Sequence, residues 1–153
     1  TEDYIENFYT QYDGVIDLYQ DKFAKPGASL MKLAKPLLKP AKFSNKIDWI
    51  WFELWHHEGR RMRMGASMMA PDITHWHGAY EVAKHYYTKS LPELEKIAKK
   101  GKAHKPKESK ALTAGIEKML NSDNHKWYLN KMSDKQKLIR KAAVEDAKKM
   151  YSK

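Results

Sequence analysis

ITHWHGAYEVAKHYYTKSLPELEKI, residues 73–97, carries the clearest periodicity in the chain. Ile73, Trp76, Tyr80, Ala83, Tyr87, Leu94 and Ile97 alternate steps of three and four, with Ser90 filling the one wider gap. On a helix those positions share a face, and their spacing approaches the heptad repeat of helices packed side by side. The stretch predicts a long helix that lays a seam against a neighbour, bent at Pro92. A strand would need apolar and polar residues in strict alternation, and no segment of the chain offers that.

Upstream, Ala70-Pro71-Asp72 reads as a turn, with Asp72 placed to cap the helix that follows. Ile47, Ile50, Trp51, Leu54, Trp55, Met62, Ala66 and Met69 outline a preceding helix, with Ser44 as its expected N-cap. Gly59 and Gly65 each cost about 1 kcal/mol against Ala inside a helix, so they point to a flat or bulky group lying close, or to a local break. The N-terminal stretch shows the same pattern at Ile5, Phe8, Tyr12, Val15 and Tyr19. The KPGAS stretch at Lys25–Ser29 is expected to break or kink it, and a second apolar piece runs from Leu30 to Leu38. Downstream, KKGKAHKPKESK at Lys99–Lys110 reads as an exposed basic loop, with shorter helices near Leu112–Leu120 and Ser133–Tyr151. The last opens on a Ser133-x-x-Gln136 capping box. The fold class is therefore all-α: a long-helix bundle of about three long helices plus two shorter ones, able to pack on another chain. A single helical domain is expected over residues 1–153, with a long-helix region at 1–98 that holds a His/Trp-rich contact segment at 51–87, and a basic helical tail at 99–153.

Composition narrows the function. No run of apolar residues is long enough for a transmembrane helix, so no membrane span is expected. Cysteine is absent, which removes disulfides, thiolate metal sites, a cysteine nucleophile and haem attachment through C-x-x-C-H on this chain. The formal charge is +10, with lysine concentrated toward the C-terminal end. That balance favours an anionic partner (nucleic acid, a membrane surface, an acidic protein or haem propionates) or a solvated lysine surface. No nucleic-acid partner is expected, because no recognised motif is present and the aromatic residues fall in apolar seams. The chain opens on Thr1 with no charged-then-apolar leader, as a processed chain or a fragment does.

The candidate chemistry lies between Trp55 and Gly78, where His56, His57, His75 and His77 sit beside tryptophans and close to Arg60, Arg61 and Arg63. Two helical ligands of one metal ion need a spacing of three or four. His56 and His57 are about 100° apart around a helix, and His75 and His77 about 200°, so neither doublet chelates one ion readily. Glu53-x-x-His56 has the spacing of a di-iron helix motif, but no second copy exists. His77, Glu81 and His85 share one helix face and form a weaker mononuclear candidate. Haem asks for less, since one axial imidazole serves one iron face. Adjacent histidines pointing apart, the flat apolar surfaces of Trp51, Trp55 and Trp76, and arginine donors for propionates all suit a porphyrin. The competing reading has these histidines hydrogen-bonded within an aromatic core and the arginines paired with Glu53, Glu58 and Asp72. Met64, Met68 and Met69 read as packing, and His104 and His125 as surface residues.

The segment from Trp51 to Glu95 resembles the C-terminal segment of the hydroxylamine oxidoreductase family of octahaem c-type cytochromes. The resemblance is carried by the blocks ELWHHEGRR, MGASMM and PD-x-THWHG-x-YEVAK. It implies a C-terminal helical bundle that helps build a trimer or higher oligomer and lies near haems, including those of a neighbouring subunit. In that family the haems are bound through C-x-x-C-H motifs earlier in the polypeptide. This chain would then complete a separate haem-bearing polypeptide, with haem c attached to the partner chain or to a missing N-terminal portion. The resemblance makes His56, His57 and His77 the axial-ligand candidates, His77 first, and His75 a possible cavity residue. It makes Trp51, Trp55, Trp76, Arg60, Arg61 and Arg63 cofactor contacts. Oxidative members cross-link a tyrosine of the PD-x-THWHG block to the catalytic haem, and here that position is Ile73, which cannot form the bond. The resemblance therefore points to the uncross-linked, reductive branch, acting on nitrite or hydroxylamine. It also implies export to the periplasm or an equivalent compartment, the anammoxosome lumen in an anammox bacterium. A structural assembly subunit that never touches iron is the alternative, with a basic nucleic-acid-binding helical protein a more distant one.

Overall fold

Pro26 and Pro92 both fall inside helices, and the helices run through them. In the computed structural model, which describes residues 1–151, each follows a π-helical segment by two residues: Gln20–Ala24 before Pro26, and Tyr86–Ser90 before Pro92. A wider turn at that point relieves the clash between the proline ring and the carbonyl four residues earlier. Five helices result among the described residues. α1 covers residues 2–37, α2 46–67, α3 71–101, α4 Pro106–Leu120 and α5 Asp134–Tyr151, with no strand among them. The all-α architecture of three long helices and two shorter ones is as the sequence predicts.

Several boundaries differ from that reading. α1 is not broken at KPGAS. α3 continues to Gly101 and α4 begins at Pro106, so the basic stretch is mostly helical and the loop shrinks to residues 102–105. The cap of α2 is Asn45, one residue after Ser44: Asn45 N–H donates to Asp48 Oδ2 at 3.1 Å within a capping box. Asp72 lies inside α3 with helical dihedrals and makes no side-chain cap.

The chain divides into two compact units, Thr1–Met119 and Leu120–Lys153. In the first, α2 runs antiparallel to α1. Trp51 covers Gly27, Tyr19 covers Gly59, and the Tyr4 hydroxyl donates to Met69 Sδ at 2.9 Å. α3 turns back along α2, with Gly65 beside Thr74 and Gly78 against the backbone of Met62. The flat group expected near Gly59 is thus the Tyr19 ring: a Cβ at residue 59 would lie 2.5 Å from its hydroxyl oxygen. Leu30, Ala34, Ile47, Leu54, Met62, Val82, Tyr86, Leu94 and Leu112 form the core of this unit. Full burial contributes about 1.5–3 kcal/mol for each of the larger aliphatic side chains.

The buried stripe of α3 is not the seam read from the sequence. Gly78, Val82, Tyr86, Ser90, Leu94 and Ala98 point inward, while Ile73, Trp76 and Tyr80 are about half exposed. Steps of four overshoot a straight α-helical face by about 40° each. The π-helical segments Ile73–Tyr80 and Tyr86–Ser90 hold more residues per turn and absorb that drift. The three-four pattern therefore tracks the buried face only in the C-terminal half of α3.

In the second unit, Lys126–Leu129 forms a 3₁₀ turn closed by Asn130, a left-handed residue with φ 57°. Ser133 and Gln136 form the expected capping box: Gln136 N–H donates to Ser133 Oγ at 3.3 Å, and Ser133 N–H to Gln136 Oε1 at 3.0 Å. His125 is buried, contrary to the surface position expected, whereas His104 is exposed. Among the described residues no helix is long and apolar enough to cross a membrane.

Candidate functional site

The histidine-rich segment is distributed over two π-helical segments, Glu53–Glu58 in α2 and Ile73–Tyr80 in α3. Single-turn π segments frequently mark functional positions, because they re-aim side chains at a cost in helix geometry. Here they spread the sequence-predicted residues over three environments.

The first is the outward face at the start of α3. Ile73, Trp76 and Tyr80 are 46%, 53% and 52% exposed. His75 and His77 are also exposed, and the His75 ring meets the edge of Trp76 at 4.8 Å between centroids. His77 Nδ1 lies 3.6 Å from Glu81 Oε1, one helical turn on. Arg61 of α2 donates to the other oxygen of Glu81 at 2.9 Å. At 3.6 Å this is a charge contact rather than a hydrogen bond: the Glu81 carboxylate, itself held by a guanidinium, lies beside Nδ1, and Nε2 is the ring nitrogen it does not approach.

The second environment is the middle of α2. His56 stacks on Phe52, with centroids 4.6 Å apart and planes 15° apart. Its Nδ1 is buried and has no hydrogen-bond partner. Partial burial, then the charges of Arg60 and His57, hold its pKa below the ordinary histidine value. The neutral ring is favoured, but ligation through Nε2 would strand an N–H at the buried Nδ1. His57 is exposed and carries no such penalty. Trp51 and Trp55 line a groove on another side of α2, together with Phe43 and lysines of α1. Arg60 is exposed and makes no ion pair among the described residues, so its donors are open to an external carboxylate. Arg61 is engaged by Glu81, and Arg63 lies over the Tyr19 ring at 4.7 Å. None of the three arginines takes Glu53, Glu58 or Asp72 as its ion-pair partner.

The third environment is internal and escaped the sequence reading. His85 Nδ1 and Glu58 Oε1 lie 2.6 Å apart, with the Glu58 side chain only 6% exposed and His85 20%. Glu58 Oε2 is buried without a partner. Tyr19 and Arg63 adjoin this pair; burial raises the Tyr19 pKa, opposed by Arg63 and reinforced by Glu58. The signal was present: Leu54, Glu58 and Met62 are spaced by four, which puts a carboxylate on the buried face of α2. The same split separates His85 from His77 and Glu81, so the mononuclear candidate does not assemble. Among the described residues no three His, Cys, Asp or Glu side chains are gathered as a metal site.

Met64, Met68 and Met69 are exposed rather than packed, at 51%, 72% and 52%. Met69 ends α2 in the left-handed region at φ 53°. The residues on the outer face of α3 suit a haem offered by another chain. They present accessible imidazoles, one with a carboxylate near its Nδ1, and half-exposed indole and alkyl surface beside them. No family model, curated protein or solved structure matches the chain.

Proposed function

We propose that this chain is a helical component of a multihaem c-type cytochrome similar to the hydroxylamine oxidoreductases, lending an axial imidazole to a haem carried by another polypeptide. The observation that carries the reading is His77, exposed on a π-helical segment with Glu81 at Nδ1 and Arg61 behind it. The haem, when bound, supplies the electron-transfer and redox chemistry. The part of this chain is to orient His77 through Glu81 and Arg61, to offer Arg60 to an external carboxylate, and to cover apolar surface with Ile73 and Trp76. Ile73 in place of a cross-linking tyrosine favours the reductive type, with nitrite or hydroxylamine as substrate. The half-exposed apolar residues of α2 and α3 favour contacts in a trimer or higher assembly. Those same residues also support the second reading, an assembly subunit that makes no haem contact.

Purification of the native assembly from its source and an absorbance spectrum test the first reading. A Soret band is expected, and a colourless assembly overturns it. Substituting His77→Ala is then expected to change the haem spin state, while His104→Ala leaves the spectrum as it was. Intact assemblies with unchanged spectra for both His77→Ala and His57→Ala leave only the assembly role.

A further inference from the structure

We infer that the groove between the C-terminal part of α1 and the start of α2 binds a small anionic amphiphile, an apolar or planar aromatic body bearing a carboxylate. The groove has a volume of about 630 Å³. That lies within the range of about 300–1,000 Å³ typical of small-molecule sites. The inference uses none of the histidines of the haem reading, since no histidine lines the groove, although it assigns Trp51 and Trp55, expected cofactor contacts in that reading, to a different ligand.

Its wall is aromatic. Trp51 lies over Gly27, so one ring face is held by α1, while Trp55 is 42% exposed. Phe52 packs edge-on against Trp55 at 6.0 Å and against Phe43 at 5.6 Å. Phe43 is 44% exposed and adopts φ 57°, an outlier for a bulky residue, costing about 1–3 kcal/mol. That strain is held by two contacts of Trp49. Its indole N–H donates to the Phe43 carbonyl at 3.0 Å, and its ring packs against Phe43 at 4.6 Å. The loop thus sets a phenyl ring on the groove rim, packed against Trp49 and Phe52 of α2.

The rim is cationic. Lys32, Lys35, Lys39 and Lys42 all line the groove, are exposed, and make no ion pair among the described residues. The one lining carboxylate, Asp48, is bound to the backbone and side chain of Asn45 at 3.1 and 2.9 Å. Charge complementarity therefore selects an anion, and the aromatic wall of this open groove selects the apolar body attached to it. Lysine suits a single carboxylate as a point charge, without the bidentate geometry an arginine would impose.

Isothermal titration of the full chain with 2-naphthoate tests this, with 2-naphthamide as the neutral analogue. Saturable binding of the carboxylate and much weaker binding of the amide are expected. Reversing K32E and K35E together should weaken naphthoate binding about tenfold, as removal of two partly screened charge contacts predicts. Reversing K135E and K141E on α5 changes the net charge equally and should leave binding within about twofold. Trp55→Ala, at an exposed position, should weaken carboxylate and amide alike. The inference is overturned if the amide binds as tightly, if the α5 reversals weaken binding as much as the groove reversals, or if naphthoate does not bind. Binding through these lysines only to phosphatidylglycerol vesicles, or only to an acidic peptide, also overturns it, because the groove would then belong to a macromolecular surface.

Discussion

Gly78→Ala is the substitution to which the first unit should be most sensitive for its size. Alanine is the better helix former by about 1 kcal/mol, so at an open position the change stabilises. At residue 78 the added Cβ would lie 2.5 Å from Met62 Cα and 2.9 Å from Met62 N. Carbon atoms in good contact sit at about 3.5–4.0 Å, so α2 and α3 would have to part by about 1 Å over the hairpin. The obstacle is backbone, which cannot swing aside as a side-chain tip can. Overpacking of this kind costs about 1–3 kcal/mol, with the larger values expected where the backbone itself must move. A net loss of about 1–2 kcal/mol lowers the melting temperature by about 2–8 °C for a chain of this length. Gly14→Ala is the internal control, since nothing lies within 4 Å of its added Cβ. It should raise the melting temperature by a few degrees, about 0.5–1 kcal/mol. Calorimetry of the two variants beside the wild type decides the matter. A Gly78→Ala protein as stable as the wild type refutes the close α2–α3 approach, and a destabilised Gly14→Ala protein refutes the open surroundings of Gly14.

Three other outcomes follow from single sites. Burial pushes the Tyr86 phenol well above its ordinary pKa of 10.0, so the folded state keeps its proton after the unfolded state has lost it. The stabilisation is complete below pH 10 and falls as pH rises above it; the gap in urea midpoint between wild type and Tyr86→Phe should be constant below pH 10 and shift against the wild type above it. Ser133→Ala removes the cap of α5 and should cost about 1 kcal/mol of local stability, read as faster hydrogen exchange at the Gln136 amide. NMR titration of His56 should give a midpoint below 6.5, and Arg60→Gln should move it part of the way back, burial being the larger cause.

Sequence and structure agree where the physics is local. The helix count, the Ser133 capping box and the apolar stripe of α2 through Ile47, Ile50, Leu54 and Met62 depend on residues within a turn or two of one another. They diverge at the prolines. The KPGAS stretch around Pro26 reads as a break or kink and Pro92 as a bend, and continuous helix runs through both, each preceded by a π-helical segment. Nothing in local propensity announces those segments. A further π-helical segment, Ile73–Tyr80, rotates the start of α3, bringing Gly78 and Val82 inward and turning Trp76 and Ile73 out. The candidate site inherits that difference. His77, Glu81 and His85 share a face in sequence, but His77 and Glu81 meet Arg61 near the surface, while His85 is drawn inside by Glu58. The lysines at 32, 35, 39 and 42 were visible as charge, but not as the rim of an aromatic groove.

By itself, then, the sequence determined that this chain is helical, lacks the cysteines to attach haem covalently, and concentrates its imidazoles in one segment. Periodicity, composition and capping are properties of neighbours along the chain. Which imidazole is open, which carboxylate is buried and which glycine admits a partner were decided only when the helices packed. Those depend on groups tens of residues apart meeting within a few ångströms, and on π turns whose cost is offset only by that packing.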